Sequence, residues 1–238
     1  MRADKKESHQ VAIGYGLEIK GYLPNAIELK KRLKNLEDYG FSKPEIIGMV
    51  RRSPTIIGFT AERTNKSLQN LEDYGFSKPE IIGMVRRSPT IIGFTAERTN
   101  GLLQNLENYG FSKPEIIGMV RRSPTIIEFT AERTNKSLQN LENYGFTKEE
   151  IREMVRKLPP ILGYTAERTG KLIKWFRFHR IEINLVKKPF CLIFSLKTLE
   201  ARRKELEKIG FDYQKKPYPL FWSKREWEEF IAKFGLKF

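Results

Sequence analysis

Apolar and polar residues recur along the chain in a pattern that predicts pairs of short amphipathic helices. The apolar residues of "KPEIIGMVRRSP" fall on one side of a helix at about 100° per residue, and Arg51 and Arg52 flank the other side. In the following "AERTNKSLQNLEDY", a second stripe contains Leu68 and Leu71. The pattern therefore predicts two helices, each with one face to bury.

Local signals predict the ends of both helices. Ser42 is followed three residues later by a glutamate, a capping box that predicts a helix start at Lys43. Pro54 requires this helix to stop before it, because proline lacks an amide hydrogen and restricts the preceding residue. "PTIIGF" is then a connection of about one helical turn. Thr60 is suited to cap the second helix, and Gly75 is suited to the left-handed position that follows it.

This two-helix unit repeats every 35 residues. Residues 76–110 differ from residues 41–75 at only three positions, and residues 111–145 differ at two. Because two helices and a turn cannot bury their apolar faces alone, the repeats are expected to stack. We predict an all-α fold, a curved α-solenoid forming one continuous domain. Its parts are an N-terminal cap and half repeat (1–40), three near-identical repeats (41–145), and divergent repeats with a basic C-terminal cap (146–238).

Stacking of such similar repeats is expected to place equivalent residues in columns. Two adjacent columns are Arg51, Arg86, Arg121 and Arg156, and Arg52, Arg87, Arg122 and Lys157. Because the arginine fork donates parallel hydrogen bonds to phosphate, one interpretation is a phosphate-contacting ridge. The alternative is that these cations only complement the helix dipole. A third column is Arg63, Arg98, Arg133 and Arg168, for which we expect pairing with neighbouring glutamates.

The charge of the chain favours a polyanionic partner. Its formal net charge is +15, and residues 151–238 contain 21 Lys+Arg against 10 Asp+Glu, a net of +11. Such a balance suits nucleic acid or an anionic membrane surface. No apolar run approaches the roughly 20 residues that span a bilayer, and the first ten residues do not resemble a signal or transit peptide. We expect neither a membrane partner nor a targeting segment.

The C-terminal third contains further candidate nucleic-acid contacts. Four cations share one predicted helical face: Lys171, Lys174, Arg177 and Arg180. Three pairs are expected to extend the basic surface: Lys187 and Lys188, just before a proline of the repeat frame; Arg202 and Arg203; and Lys224 and Arg225. Three aromatic residues could stack on bases, although a role in the core is favoured: Trp175, Phe176 and Phe178.

Catalysis finds little support in the sequence. His9 and His179 are the only histidines, and no metal-ligand or nucleophile motif is present. Cys191 is the only cysteine and is expected in the core. We expect no enzyme activity, no cofactor and no metal. Three glycines, Gly48, Gly83 and Gly118, lie mid-helix on the outward side, where close approach of a helix or a phosphate backbone would explain them.

The frame "GFSKPEIIGMVRRSPTII" resembles the mitochondrial transcription termination factor family, usually called mTERF. The matching features are a glycine, a Ser-capped helix, a Met-Val pair, a proline four residues after Val50, two aliphatic residues and a second capped helix. "KKPFCLIFSLKTLEARRKELEKIGFD" resembles the closing repeat of that family, so the resemblance covers about residues 10–236. The near-identity of three repeats departs from the family pattern and suggests recent duplication or a consensus-engineered array.

The resemblance implies a solenoid that binds double-stranded nucleic acid along a basic surface in organelles and influences transcription termination. We therefore expect double-stranded DNA as the partner of a monomeric protein in the mitochondrion, with a cytoplasmic or nucleoid location as the alternative. Two alternatives stay open: an RNA-binding factor in RNA processing or ribosome assembly, and a protein-interaction scaffold. Identical repeats cannot read different bases, so sequence discrimination is expected mainly at the divergent end.

Overall fold

The computed structural model describes residues 2–19 and 23–234. Within these ranges the chain forms α-helices and short 3₁₀ helices, without a β-strand. The α-helices are α1 (Arg2–Tyr15), α2 (Ala26–Tyr39), α3 (Lys43–Arg52), α4 (Ala61–Tyr74), α5 (Lys78–Arg87), α6 (Ala96–Tyr109), α7 (Lys113–Arg122), α8 (Ala131–Asn143), α9 (Lys148–Lys157), α10 (Ala166–Phe178), α11 (Leu196–Lys208) and α12 (Lys224–Ala232). The 3₁₀ helices are Pro54–Gly58, Pro89–Gly93, Pro124–Glu128, Pro159–Gly163, Pro189–Ile193 and Tyr218–Phe221. The predicted all-α repeat fold is confirmed.

Two compact units divide the chain, Met1–Ala131 and Glu132–Phe238. The first contains α1 to α7, and the boundary falls at the start of α8. Among the described residues, no helix combines the length and the apolar character needed to cross a bilayer. The predicted continuity of one domain along the whole array stays a prediction.

The predicted helix ends are confirmed in the regular repeats. α3 begins at Lys43, and its capping box is present: the Glu45 carboxylate accepts hydrogen bonds from the Ser42 amide and hydroxyl at 2.8 and 2.9 Å. The Thr60 hydroxyl accepts from the backbone of the first turn of α4. Gly75 ends α4 with φ 111°, the left-handed conformation that glycine adopts most readily. "PTIIG" forms a 3₁₀ helix, as the proline signal indicated.

Each 3₁₀ helix in the first unit packs against the second helix of the preceding repeat. Ile91 and Ile92, in the 3₁₀ helix Pro89–Gly93, are fully buried. The buried Ser67 of α4 donates a 2.8 Å hydrogen bond to the Ile91 carbonyl. In α6 the equivalent residue is Leu102, also buried, so an apolar contact replaces the hydrogen bond there. Apolar burial and a few polar contacts therefore join one repeat to the next.

A second set of contacts joins the repeats at the C-terminal ends of their second helices. The Tyr39 hydroxyl donates to Glu72 at 2.8 Å, and the Lys78 ammonium lies 5.0 Å from the centre of the Tyr39 ring. The Tyr74 hydroxyl makes the same contact with Glu107 at 2.9 Å. This edge of the first unit therefore contains both glutamates and lysines, whereas the arginine pairs lie at the C-terminal ends of the first helices.

The second unit begins with the same pairs of helices, but toward the C-terminus its repeats no longer contain a first helix. Ser137 of α8 donates a 2.7 Å hydrogen bond to the Ile161 carbonyl, as Ser67 does to Ile91 in the first unit. Pro159 and Pro189 are only 30 residues apart rather than 35. The shortened segment 179–188 has no capping box and forms turns instead of an α-helix. A repeat of two helices was predicted here, and only its 3₁₀ helix and α11 are present.

We predict that Gly93→Ala destabilises the first unit, whereas Gly58→Ala does not. A Cβ atom at Gly93 would lie 2.2 Å from the Phe59 ring, so the ring must move away. Nothing lies within 4 Å of a Cβ at Gly58, although the local sequence is the same. Overpacking of this kind costs about 1 to 2 kcal/mol. Urea unfolding of both variants measures it, and equal midpoints would contradict the prediction.

Candidate nucleic-acid interface

The arginine pairs of the first unit lie in the last turns of α3, α5 and α7. We define the first row as Arg51, Arg86 and Arg121, and the second row as Arg52, Arg87 and Arg122. All of these side chains are exposed. Carbonyl groups at a helix C-terminus lack partners within the helix and favour cations. In the second unit, Arg156 and Lys157 occupy the same positions at the end of α9 and are also exposed.

The second row bonds the end of the next helix. The Arg87 guanidinium donates to the Arg121 carbonyl at 2.9 Å, and Arg52 donates in the same way to the Arg86 carbonyl. Lys157 follows this pattern in the second unit, where its ammonium lies 3.4 Å from the Val186 carbonyl. These cations therefore stabilise the repeat interface while remaining accessible.

Two members of the first row, Arg86 and Arg121, are paired with acidic residues of the preceding repeat. Arg86 Nη1 lies 3.1 Å from Glu45 Oε1, and Arg121 forms an ion pair with Glu80. The arginine side chains remain 58% and 55% exposed, respectively, so part of each guanidinium is open to solvent. Exposed ion pairs of this kind contribute about 0 to 1 kcal/mol. Despite these ion pairs, the guanidinium groups of Arg86 and Arg121 remain at the surface.

The third column has a structural role different from the one expected. Arg63 donates to the Gly93 carbonyl at 2.6 Å, and Arg168 donates to the Ile193 carbonyl at 2.6 Å. Arg98 bonds the carbonyl of residue 128 and lies 3.9 Å from the centre of a phenylalanine ring. The predicted pairing with glutamates is wrong for these three residues. They instead satisfy carbonyl groups at the C-terminal end of the next 3₁₀ helix, where no intrahelical donor is available.

α10 presents three exposed cations at its C-terminal end, Lys174, Arg177 and Arg180. Arg177 donates to the Tyr144 carbonyl at 2.5 Å. Within the described part of the chain, none of the three forms an ion pair. Lys171, by contrast, pairs with Glu167 at 2.5 Å. The end of α10 therefore concentrates positive charge without a direct ion pair in the described residues, while Glu150 lines the same depression as Arg177 and Arg180.

Arg180 takes the backbone conformation that glycine has in the regular repeats. Its φ is 52°, and its amide donates to the Arg177 carbonyl at 3.1 Å, as Gly75 donates to Glu72 at 2.8 Å. A residue with a side chain in this region costs about 1 to 2 kcal/mol. Arg180 and Arg177 also border an open depression of about 350 Å³ beside the shortened segment 179–188. The strained backbone conformation therefore belongs to an exposed arginine that lies among other cations.

The three aromatic residues of α10 divide between core and surface. Trp175 and Phe176 are buried, as favoured from the sequence. Phe178 is 81% exposed, so the core interpretation is wrong for this residue. The helix has turned by two residues from Phe176, which places Phe178 on the opposite side. An exposed aromatic ring consequently lies between the cations Arg177 and Arg180 in the chain.

Lys187 and Lys188 differ in accessibility. Lys187 is exposed and occupies the position that the second arginine has in a regular repeat. Lys188 precedes Pro189 directly, which is the position of Ser53 relative to Pro54. Its ammonium donates to the Tyr218 hydroxyl at 2.6 Å and lies 4.0 Å from the centre of the Tyr218 ring, and it forms no ion pair with the residues that the structure describes.

Arg202 and Arg203 require a correction, because both were expected to extend the basic surface. Arg202 is 8% exposed, and its guanidinium donates to the Leu220 and Trp222 carbonyls at 2.9 and 2.7 Å. Arg203 bonds both oxygens of Glu200, at 3.0 and 2.7 Å, and its side chain is 12% exposed. These arginines are engaged inside the second unit and are not available to a phosphate.

Lys224 and Arg225 lie at the start of α12 and are highly exposed. Each has an acidic partner four residues later, Glu228 at 3.6 Å and Glu229 at 3.3 Å. The local charge is therefore balanced, and these two residues add less to the positive surface than their number suggests.

The residues considered for chemistry are packed rather than clustered. Cys191 is buried, as expected, and burial raises the pKa of its thiol to about 12. Burial lowers the pKa of His179, which lies 3.8 Å from Glu200. Among the described residues, no group of histidine, cysteine, aspartate and glutamate is arranged to hold a metal ion.

The mid-helix glycines have no packing explanation within the structure. A Cβ atom at Gly48 or Gly83 would meet nothing within 4 Å, and at Gly118 it would meet only the end of the Arg122 side chain at 3.7 Å. The expected close approach of a neighbouring helix is therefore not found in the described residues.

Sequence reasoning missed Glu45 and Glu80, which were read only as helix-capping residues. Each contacts an arginine 41 residues further along the chain, Arg86 and Arg121. The spacing of 41 residues equals one repeat of 35 residues plus six, and it can be counted in the sequence. That the two residues touch follows only from the stacking geometry of the repeats.

Short helices paired through 3₁₀ helices, with cations at equivalent helix ends, define a helical-repeat protein of the nucleic-acid-binding class. The mTERF family model matches residues 65–225, and the chain belongs to this family. Members of the family are nucleic-acid-binding regulators and are generally organellar. A comparison with curated proteins gave no match.

We predict that the paired glutamates make stability depend on acidic pH. Hydrogen bonds from Ser42 lower the pKa of Glu45 below its ordinary value of 4.5, and the charge of Arg86 lowers it further. Hydrogen bonds from Ser77 lower the pKa of Glu80 in the same way. Because the folded-state pKa lies below the unfolded value, this stabilisation is present above pH 4.5 and is lost as pH falls through the folded pKa.

Thermal unfolding between about pH 6 and pH 3 measures this effect. Wild-type protein is expected to lose more stability than Glu45→Gln/Glu80→Gln, which keeps an oxygen for the capping box but has no charge to titrate. Parallel losses in both proteins would contradict the assignment.

Proposed function

We propose that this member of the mTERF family binds double-stranded DNA and regulates transcription, including its termination, in the mitochondrion, without catalysing a reaction. The observation that carries the proposal is the recurrence of an exposed arginine pair at the same end of every regular first helix. A regular polyanion can engage equivalent positions in successive repeats, whereas a compact ligand cannot. The net charge of +15 supports the same partner.

The contacts fit phosphate groups better than bases. Guanidinium groups donate in pairs to phosphate oxygens, and both rows retain exposed donors after their internal contacts are made. Phosphate contacts set position and affinity but do not identify sequence. Since three repeats are nearly identical, they offer each step of a duplex the same chemistry. We infer that the regular repeats bind DNA with little sequence discrimination.

The second unit supplies the anchoring charge and any discrimination. Residues 151–238 contribute a net charge of +11, and the cations at the end of α10 have no acidic partner in the described structure. The exposed Phe178 is placed beside them and could contact a base or a sugar. Lys187 adds a further accessible charge at the position of a repeat arginine.

We predict that removing the first row weakens binding to duplex DNA. Arg51→Ala/Arg86→Ala/Arg121→Ala is expected to lower affinity about tenfold or more, since each lost phosphate contact also reduces the salt slope by about 0.9. Fluorescence polarisation with duplex DNA, duplex RNA and single-stranded RNA of one length, at several salt concentrations, measures both quantities.

The matched control removes three cations that pair within their own helices, Lys34→Ala/Lys66→Ala/Lys136→Ala. It changes the net charge equally and is expected to bind nearly as well as wild type. A preference for RNA over duplex DNA would support the RNA-binding alternative instead. Binding that does not respond to salt would favour a protein-interaction scaffold.

We predict that Arg180→Gly stabilises the second unit while weakening DNA binding. Glycine relieves the positive φ, and after its greater flexibility in the unfolded chain is subtracted, a gain of about 0.5 to 1 kcal/mol remains. The lost cation lowers affinity. Arg180→Lys, which keeps both charge and strain, is the control and is expected to bind like wild type. A stabilised Arg180→Gly protein with unchanged affinity would remove Arg180 from the interface.

A further inference from the structure

The two carboxylate oxygens of Glu45 contact two different partners, and the same is true of Glu80. Oxygen Oε2 of Glu45 accepts the Ser42 amide at 2.8 Å, and Oε1 lies 3.1 Å from Arg86 of the next repeat. Glu80 accepts the Ser77 amide at 2.8 Å and pairs with Arg121. The carboxylates are therefore fixed in place by their own helix, independently of any ligand.

The exposure of the two partners shows which one a ligand meets. Glu45 and Glu80 are 24% and 22% exposed, whereas Arg86 and Arg121 are more than half exposed. A phosphate approaching from solvent would bond the open side of the guanidinium, with the carboxylate behind it. Hydrogen bonds from the capping serines also lower the pKa of both glutamates, so they stay charged at neutral pH.

We propose that Glu45 and Glu80 limit the affinity of the first row for phosphate and so keep the regular repeats weak DNA contacts. This inference rests on the proposed function. A phosphate bonded to the open side of Arg86 lies about 7 Å from the Glu45 carboxylate, and in water two like charges at that distance repel by about RT. At about 0.01 M salt, where this repulsion is only slightly screened, each glutamate therefore lowers affinity roughly twofold, and the two together about fivefold.

Positioning of the arginines by the glutamates is the opposing effect, and it is smaller. Exposed ion pairs contribute about 0 to 1 kcal/mol once the entropy lost by the long side chains is included, so they hold side chains weakly. The guanidinium groups also lie at helix C-termini, where their direction is already favoured. Repulsion acts on the bound phosphate directly, and at about 0.01 M salt the Debye length of about 30 Å leaves it almost unscreened. It consequently outweighs the gain from positioning.

Arg51 provides an internal comparison. It opens the first row and forms no ion pair among the residues that the structure describes, and the residue 41 positions before it is Gln10 rather than a glutamate. Under this proposal, no glutamate of the described residues lowers the affinity of the Arg51 guanidinium for phosphate. Arg51→Ala is expected to reduce DNA affinity more than Arg86→Ala does, although both residues have the same place in their repeats.

The test is the affinity of Glu45→Gln/Glu80→Gln for duplex DNA. Glutamine keeps the capping box, since its amide oxygen can accept the serine N–H, so the helices are expected to remain folded. At about 0.01 M salt we expect about fivefold tighter binding than wild type, and a steeper salt dependence. Thermal unfolding at neutral pH checks that the fold is kept.

The control is Glu62→Gln/Glu132→Gln, which raises the net charge by the same amount. These glutamates pair with Lys66 and Lys136 on second helices and are 76% exposed. We expect the control to bind within about twofold of wild type, since these carboxylates pair with lysines of their own helices rather than with the arginine rows. If the Glu45→Gln/Glu80→Gln protein binds no more tightly than this control, the glutamates position the arginines and the inference is overturned. Absence of salt-dependent duplex binding in wild type would instead overturn the proposed function.

Discussion

The structure depends on burial of short apolar helix faces against the neighbouring repeat. First helices of ten residues, such as α3, are too short to be stable in water by themselves. Their apolar residues, together with the paired isoleucines of the 3₁₀ helices in the first unit, are removed from solvent only when the next repeat is in place. Within each unit, folding and repeat stacking are consequently one process, and residues that weaken an interface weaken every element on both sides of it.

Polar side chains give this stacking its register. Apolar packing alone would tolerate small shifts, but arginines of the third column and serines such as Ser67 donate to particular carbonyls of the next 3₁₀ helix. The second row does the same at the end of the next first helix. Cations that might have been assigned entirely to a ligand therefore have structural roles as well. An arginine with several donors can serve both purposes, because one or two donors stay at the surface.

The cations also differ in how accessible they are to a ligand. Arg202 and Arg203 have their donors satisfied inside the second unit, whereas those at the end of α10 remain exposed. Glu45 and Glu80, whose first role is helix capping, place a negative charge beside Arg86 and Arg121, and under the proposed function they lower the affinity of these arginines for phosphate. A repeat protein can thus vary affinity from repeat to repeat without changing the arginines that make the contact.

Helix boundaries and the repeat could be predicted from the sequence because their causes are local. The capping box at Ser42, the stop before Pro54 and the left-handed glycine at Gly75 each depend on residues a few positions apart. The partners of the arginines could not be predicted, because Glu45 meets Arg86 and Arg63 meets Gly93 only once two repeats are packed. The burial of Arg202 likewise depends on the path of the chain in space, whereas the shortened segment before Pro189, with no capping box, was visible in the sequence. The sequence by itself determined the elements and their period, and the tertiary structure decided which charges are left to meet a partner, since burial and pairing are properties of the packed chain.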